Sequence, residues 1–83
     1  MQEHFYTLND ICRSTHLTRS AMYLQIKRGI FPRQIKWGRM SRWIAHEVQQ
    51  VFNARAAGKS DNEVRELVKQ LHAARAEAPQ EAA

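Results

Sequence analysis

The chain has one cysteine, two prolines and three glycines in 83 residues, and each scarcity excludes a class of protein. Cys12 has no partner for an internal disulfide, and with one thiol and four scattered histidines there is no zinc-ligand spacing. It falls on the core side of the first expected helix, where it reads as a small buried hydrophobe. Gly29, Gly38 and Gly58 each stand at an expected turn or helix end, so no glycine-rich phosphate loop is present. No apolar run approaches the roughly 20 residues of a membrane span, and MQEHFYTLND lacks the basic start and apolar stretch of a signal peptide. A cytoplasmic location is expected. His4, His16, His46 and His72 fall on separate elements, so no catalytic constellation, cofactor or small-molecule ligand is expected and the chain does not read as an enzyme.

Acidic residues are scarce in one half only. Residues 1–44 hold eight Lys and Arg against Glu3 and Asp10, a net +6, whereas residues 45–83 hold five against six, a net −1, which together give +5. The N-terminal half is therefore the candidate surface for a polyanion, since cations that neutralise phosphates release counterions and supply most non-specific affinity.

Thr7 and Asp10 have the spacing of a capping box, followed by Leu8, Ile11 and Cys12 on one helical face, which predicts a helix over about 8–14. A short turn from Ser14 to Leu17 leads to Thr18, the expected cap of a second helix over about 19–28. Gly29 ends that helix and Pro32 bars its continuation. Two short helices joined by so short a turn predict a helix-turn-helix. On the second helix Met22 and Ile26 point inward with Ala21 or Gln25 at the margin, leaving Arg19, Ser20, Tyr23, Leu24 and Lys27 outward. Arg and Ser near the start of such a helix are placed to read base edges, with Tyr23 and then Lys27 or Arg28 against phosphates.

After Pro32 the period changes to two. Gln34 to Trp37 alternates, Gly38 to Met40 supplies a turn, and Ser41 to Trp43 returns as the second strand of a hairpin. Ile35 and Trp37 share one face with Lys36 on the other, Arg39 at the tip and Arg42 on the return strand, an arrangement similar to a basic wing. Trp37 and above all Trp43 are expected to pack in the core of so small a chain.

A third helix over about 45–57 presents Ile44, Val48, Val51, Phe52 and Arg55 on one side. It lacks a capping side chain, although Glu47 suits its N-terminus electrostatically. Ser60 and Glu63 form a second capping box, opening a helix to about Ala76. Its stripe of Val64, Leu67, Leu71, Ala74 and Ala78, with Val68 beside it, either packs on the chain's own domain or forms a homodimer contact. The resulting organisation is a DNA-binding unit over 1–58, a C-terminal helix over 59–78 and a flexible tail over 79–83.

The motifs LTRSAMY, IKRGIFP, IKWG and SRWIAHEV together resemble the AlpA-type prophage regulators, which are related to phage excisionases and MerR-type winged helices. The resemblance runs from Tyr6 to Arg55. It implies a mainly α fold with a small β-hairpin wing, that is, a winged helix-turn-helix followed here by an additional C-terminal helix. It also implies that Thr18, Arg19, Ser20 and Tyr23 belong to a DNA-reading segment and that the Lys36 to Arg42 hairpin contacts backbone or minor groove. Phe31 and Trp43 match the family's structural aromatics. His16 stands where the family's turn usually has glycine, Leu24 where it has a basic or polar residue, and the turn GRMS is slightly shorter than usual.

The expected function is a sequence-specific transcriptional regulator that binds double-stranded DNA and modulates another machine such as RNA polymerase. A second reading is an excisionase-like factor that bends DNA and steers a recombinase. A third is a protein-interaction module using the basic face, or the stripe of Val64, Leu67, Val68 and Leu71, to bind an acidic or helical partner.

Overall fold

The computed structural model describes residues 4–77. Ala78 and the expected tail over 79–83 lie outside them. The order is β1 (Phe5–Tyr6), α1 (Leu8–Thr15), α2 (Arg19–Lys27), β2 (Ile35–Trp37), β3 (Met40–Ile44), α3 (Ala45–Ala56) and α4 (Asp61–Glu77). The fold is a winged helix-turn-helix followed by a C-terminal helix, mainly α with a small antiparallel sheet.

Local chemistry accounts for most element starts. At α1 the Asp10 amide donates to Thr7 Oγ1 at 3.1 Å while the Thr7 amide donates to Asp10 Oδ2 at 2.9 Å, so two otherwise orphaned N–H groups are satisfied reciprocally. Ser60 and Glu63 repeat the device next to α4, at 2.9 and 3.2 Å. Thr18 caps α2 by accepting the Ala21 amide at 3.1 Å. At α3 no side chain caps the helix. Instead the Ala45 amide donates to the His4 carbonyl at 2.9 Å, so the chain just before β1 takes one of the orphaned donors of α3.

The sheet and its turn differ from the sequence expectation. The sheet has three strands in the order β1-β3-β2, because Phe5 and Tyr6 pair antiparallel with Ile44 and Trp43. The hairpin turn is Gly38–Arg39 alone, since Met40 already pairs with Trp37. Gly38 has φ 64° and Arg39 keeps a negative φ, the signature of a type II′ turn, in which glycine at the first central position carries the left-handed backbone.

The core joins Ile11 of α1, Met22 of α2, Ile30 and Phe31 of the following loop, Trp43 of β3, Val48 and Val51 of α3, and Val64 and Val68 of α4. Trp43 is fully buried and its indole N–H donates to the Pro32 carbonyl at 3.1 Å, so burial leaves no polar atom unmatched. Cys12 is half-buried against this core. Trp37 departs from the expected core position: it is 57% exposed, and its ring meets that of Phe5 edge to face at a centroid distance of 5.5 Å. The reason is parity. Trp43 points to the helical side of the sheet, and in this register Trp37 lies on the opposite face.

Candidate nucleic-acid interface

The turn between α1 and α2 sets the angle of the second helix. It is made at His16, which has φ 61° and ψ 27° and whose amide donates to the Cys12 carbonyl at 2.7 Å. Among the described residues it is the only non-glycine with positive φ, the conformation for which glycine is the usual choice at a helix C-terminus.

On α2, Met22 is buried and Ile26 half-buried, while Arg19, Ser20, Tyr23, Leu24 and Lys27 are exposed together on the outer face, followed by Arg28 at the C-terminal cap. Arg19 Nη2 donates to Asn9 Oδ1 on α1 at 3.2 Å, so its guanidinium is braced across the motif. The Tyr23 ring lies 6.5 Å from that of the buried Trp43, tilted by 58°, which sets this exposed side chain beside the core. Thr18 is exposed, and its hydroxyl oxygen already accepts the Ala21 amide. Leu24 is an exposed apolar residue in the middle of this polar face.

In the hairpin, Lys36 and Arg39 are exposed and Arg42 is half-buried. Arg42 folds along its own strand, with Nη1 donating to the Ser41 carbonyl at 2.9 Å and Nη2 to Met40 Sδ at 3.1 Å. The charge of Arg42 is felt at Asp10 of α1. Its carboxyl is held below the usual carboxylate range, first by the Thr7 amide that donates to it, then by the Thr7 hydroxyl and the charges of Arg13 and Arg42.

The electrostatics are one-sided. From Ile11 to His46 the sequence has no Asp or Glu at all. Among the described residues the ion pairs are Arg13–Asp10, Arg55–Asp61, Lys69–Glu66 and Arg75–Glu47, and none engages Arg19, Lys27, Arg28, Lys36, Arg39 or Arg42. Arg19 and Arg42 donate to neutral acceptors, and none of the six is committed to a carboxylate among the described residues, so all remain available to an anion.

Three residues of α4 fasten the segment between α2 and the hairpin. Arg65 Nε donates to the Arg28 carbonyl at 2.9 Å, and its stem lies over Gly29, where an added Cβ would meet it at 3.5 Å. The Arg33 amide donates to His72 Nε2 at 3.1 Å, and Arg75 Nη2 donates to the Arg33 carbonyl at 2.7 Å. The positioning roles of Arg65, His72 and Arg75, and that of Asn9, have no counterpart among the sequence expectations. Nothing local signals them, because each contact joins residues far apart in the chain. The stripe on α4 divides: Val64 and Val68 are buried within the chain, and Leu67 and Leu71 are half-buried against the same core.

Among the described residues no group of three or more His, Cys, Asp or Glu is placed to hold a metal ion, and no helix is long and apolar enough to cross a membrane. A family model described as prophage CP4-57 regulatory protein (AlpA) matches residues 5–56, the segment from β1 to the end of α3. No curated protein and no solved structure matches the chain.

Proposed function

Since the chain belongs to the AlpA family of prophage regulatory proteins, we propose that it is a sequence-specific DNA-binding transcriptional regulator, with α2 in the major groove and the hairpin on the adjacent backbone or minor groove. The observation that carries this reading is the outer face of α2, where Arg19, Ser20, Tyr23 and Lys27 stand exposed in a surface without a single acidic neighbour in sequence from 11 to 46. Arg19 and Ser20, at the helix start, are the base-reading pair, because an arginine fork bonds two acceptors of one guanine and a hydroxyl bonds either kind of edge. Tyr23, Lys27, Arg28, Lys36, Arg39 and Arg42 set register by contacting phosphates, with Thr18 beside them at the helix cap. Regulation follows by recruiting or modulating a second machine, RNA polymerase for a regulator of promoters or a recombinase for a factor acting on integration. The half-buried Leu67 and Leu71 are the candidate surface for a partner or a second copy.

The deciding experiment selects fragments from genomic DNA with the purified chain and measures affinity against random duplex over a salt series. A specific regulator holds its selected site at least about 10³-fold more tightly than random duplex. If Lys27, Arg28, Lys36, Arg39 and Arg42 each neutralise one phosphate, the logarithm of affinity falls against that of salt with a slope of about −4 to −5. Equal, weak binding to every fragment would overturn the reading.

A further inference from the structure

The tip of the hairpin carries apolar surface that neither the core nor the reading of α2 uses. Trp37 and Met40 pair directly across the Gly38–Arg39 turn and are 57% and 48% exposed. Directly paired residues share a face. Alternation then puts Ile35, Arg42, Ile44 and Phe5 on that face too, opposite the buried Trp43. Phe5 meets Trp37 edge to face, with the rings at 84°, which holds the indole in one orientation before anything binds. Arg39 in the turn and Arg42 on the same face flank the pair, while Lys36 lies on the opposite face, and none of the three has an acidic partner among the described residues.

The size and charge of this patch indicate its occupant. Trp37, Met40 and Phe5 together expose on the order of 300 Å² of apolar surface, well short of the roughly 800 Å² per partner of a specific protein interface. The same area matches the faces of one base step. An aromatic and a methionine at the end of a narrow two-stranded tip, rimmed by cations, suit a polyanion that also offers flat apolar faces.

We infer that Trp37 and Met40 form a wedge that stacks on, and partly opens, one base step where the wing meets the duplex, so that binding kinks and locally unwinds the DNA. This rests on the duplex reading above and adds a deformation to it. Arg39 and Arg42 hold the flanking phosphates, and Phe5 keeps the indole from turning aside.

The test uses the full chain with sonicated mixed-sequence duplex DNA and a relaxed closed plasmid. Trp43 is buried and serves as an internal reference, so the accessible part of the tryptophan emission reports Trp37. The expected results are loss of acrylamide access to Trp37 on DNA binding and a shift in plasmid linking number after topoisomerase treatment. Affinity should fall about tenfold in Trp37→Ala, with the linking shift lost, and Trp37→Phe should restore part of both. Wild-type binding with Trp37 as open to acrylamide as in the free chain would overturn the wedge and leave the duplex reading intact. So would a Trp37→Ala chain that unwinds the plasmid like wild type. If that variant binds DNA normally but loses self-association in sedimentation, the patch belongs to a second copy and the wedge is also overturned. Failure of the wild type to bind any duplex overturns both readings at once.

Discussion

Arg75 donates Nε–H and Nη2–H to the two carboxylate oxygens of Glu47 at 2.8 and 2.6 Å, in a pair whose acid is 4% exposed. The bidentate geometry joins α4 to the start of α3, and the same Nη2 also reaches the Arg33 carbonyl. A buried pair of this kind stabilises little relative to a well-packed apolar pair, but removing one partner leaves the other desolvated and unmatched. Arg75→Ala should therefore cost about 2 to 4 kcal/mol in urea unfolding. Arg75→Leu combined with Glu47→Leu should recover most of that loss, and strict additivity of the two single changes would contradict a shared interaction.

His72 makes stability depend on pH. Its ring nitrogen accepts the Arg33 amide, so the neutral form is the one that fits, and burial, then the charges of Arg75 and Arg33, hold its pKa below the ordinary 6.5, with Glu47 opposing them. In the unfolded chain His72 takes up a proton near its ordinary value while the folded chain still resists it. Its stabilising contribution is thus full above about pH 6.5 and is lost as pH falls from there to the lower folded value. Thermal melts across that window should show the midpoint dropping on acidification, and His72→Gln should flatten the drop. An equal drop in the variant would place the effect on another group.

His16 holds a left-handed backbone at the end of α1. His16→Gly should stabilise the fold by roughly 0.5 to 1 kcal/mol, the relief of that conformation being offset in part by the greater freedom of the unfolded glycine. His16→Val should destabilise it, because a β-branched side chain is least tolerant of positive φ. The pair of melts is informative because His16 is exposed and neither change removes core packing.

The helix-turn-helix face yields separable binding effects. Arg19→Ala should remove about 1 to 3 kcal/mol of discrimination at one base position, while Arg42→Ala should weaken all sequences alike and reduce the salt slope by about one. Asn9→Ala should act in the direction of Arg19→Ala but more weakly, by releasing the guanidinium from its brace. Specificity profiles over a panel of single-base changes distinguish the three.

What was legible in the sequence was what is local. The capping boxes at Thr7 and Ser60 join residues three apart, so their signature survives in the one-dimensional order, and both form. The inward pair Met22 and Ile26 and the outer face from Arg19 to Lys27 follow from helical periodicity alone. The hairpin followed from alternation, though its turn proved tighter by one residue because Met40 pairs with Trp37. The two-residue strand β1 was invisible, since Phe5 and Tyr6 show no alternation of their own and are ordered by pairing with Ile44 and Trp43 at the far end of the sheet. Trp37 was misplaced because a large aromatic favours the interior only if its strand parity turns it inward. The contacts of Arg65, His72 and Arg75 span from 37 to 42 residues when they reach the segment from Arg28 to Arg33, and no local pattern encodes such a reach.

The fastening of that segment sets a mechanical property of the whole molecule. With Arg65 at its head and His72 and Arg75 at its foot, the span between the outer face of α2 and the hairpin is a gauge of constant length rather than a hinge. Ordering is completed when the chain folds, so little entropy is left to lose on contact. Any surface that engages both ends must match that spacing or be the one that bends.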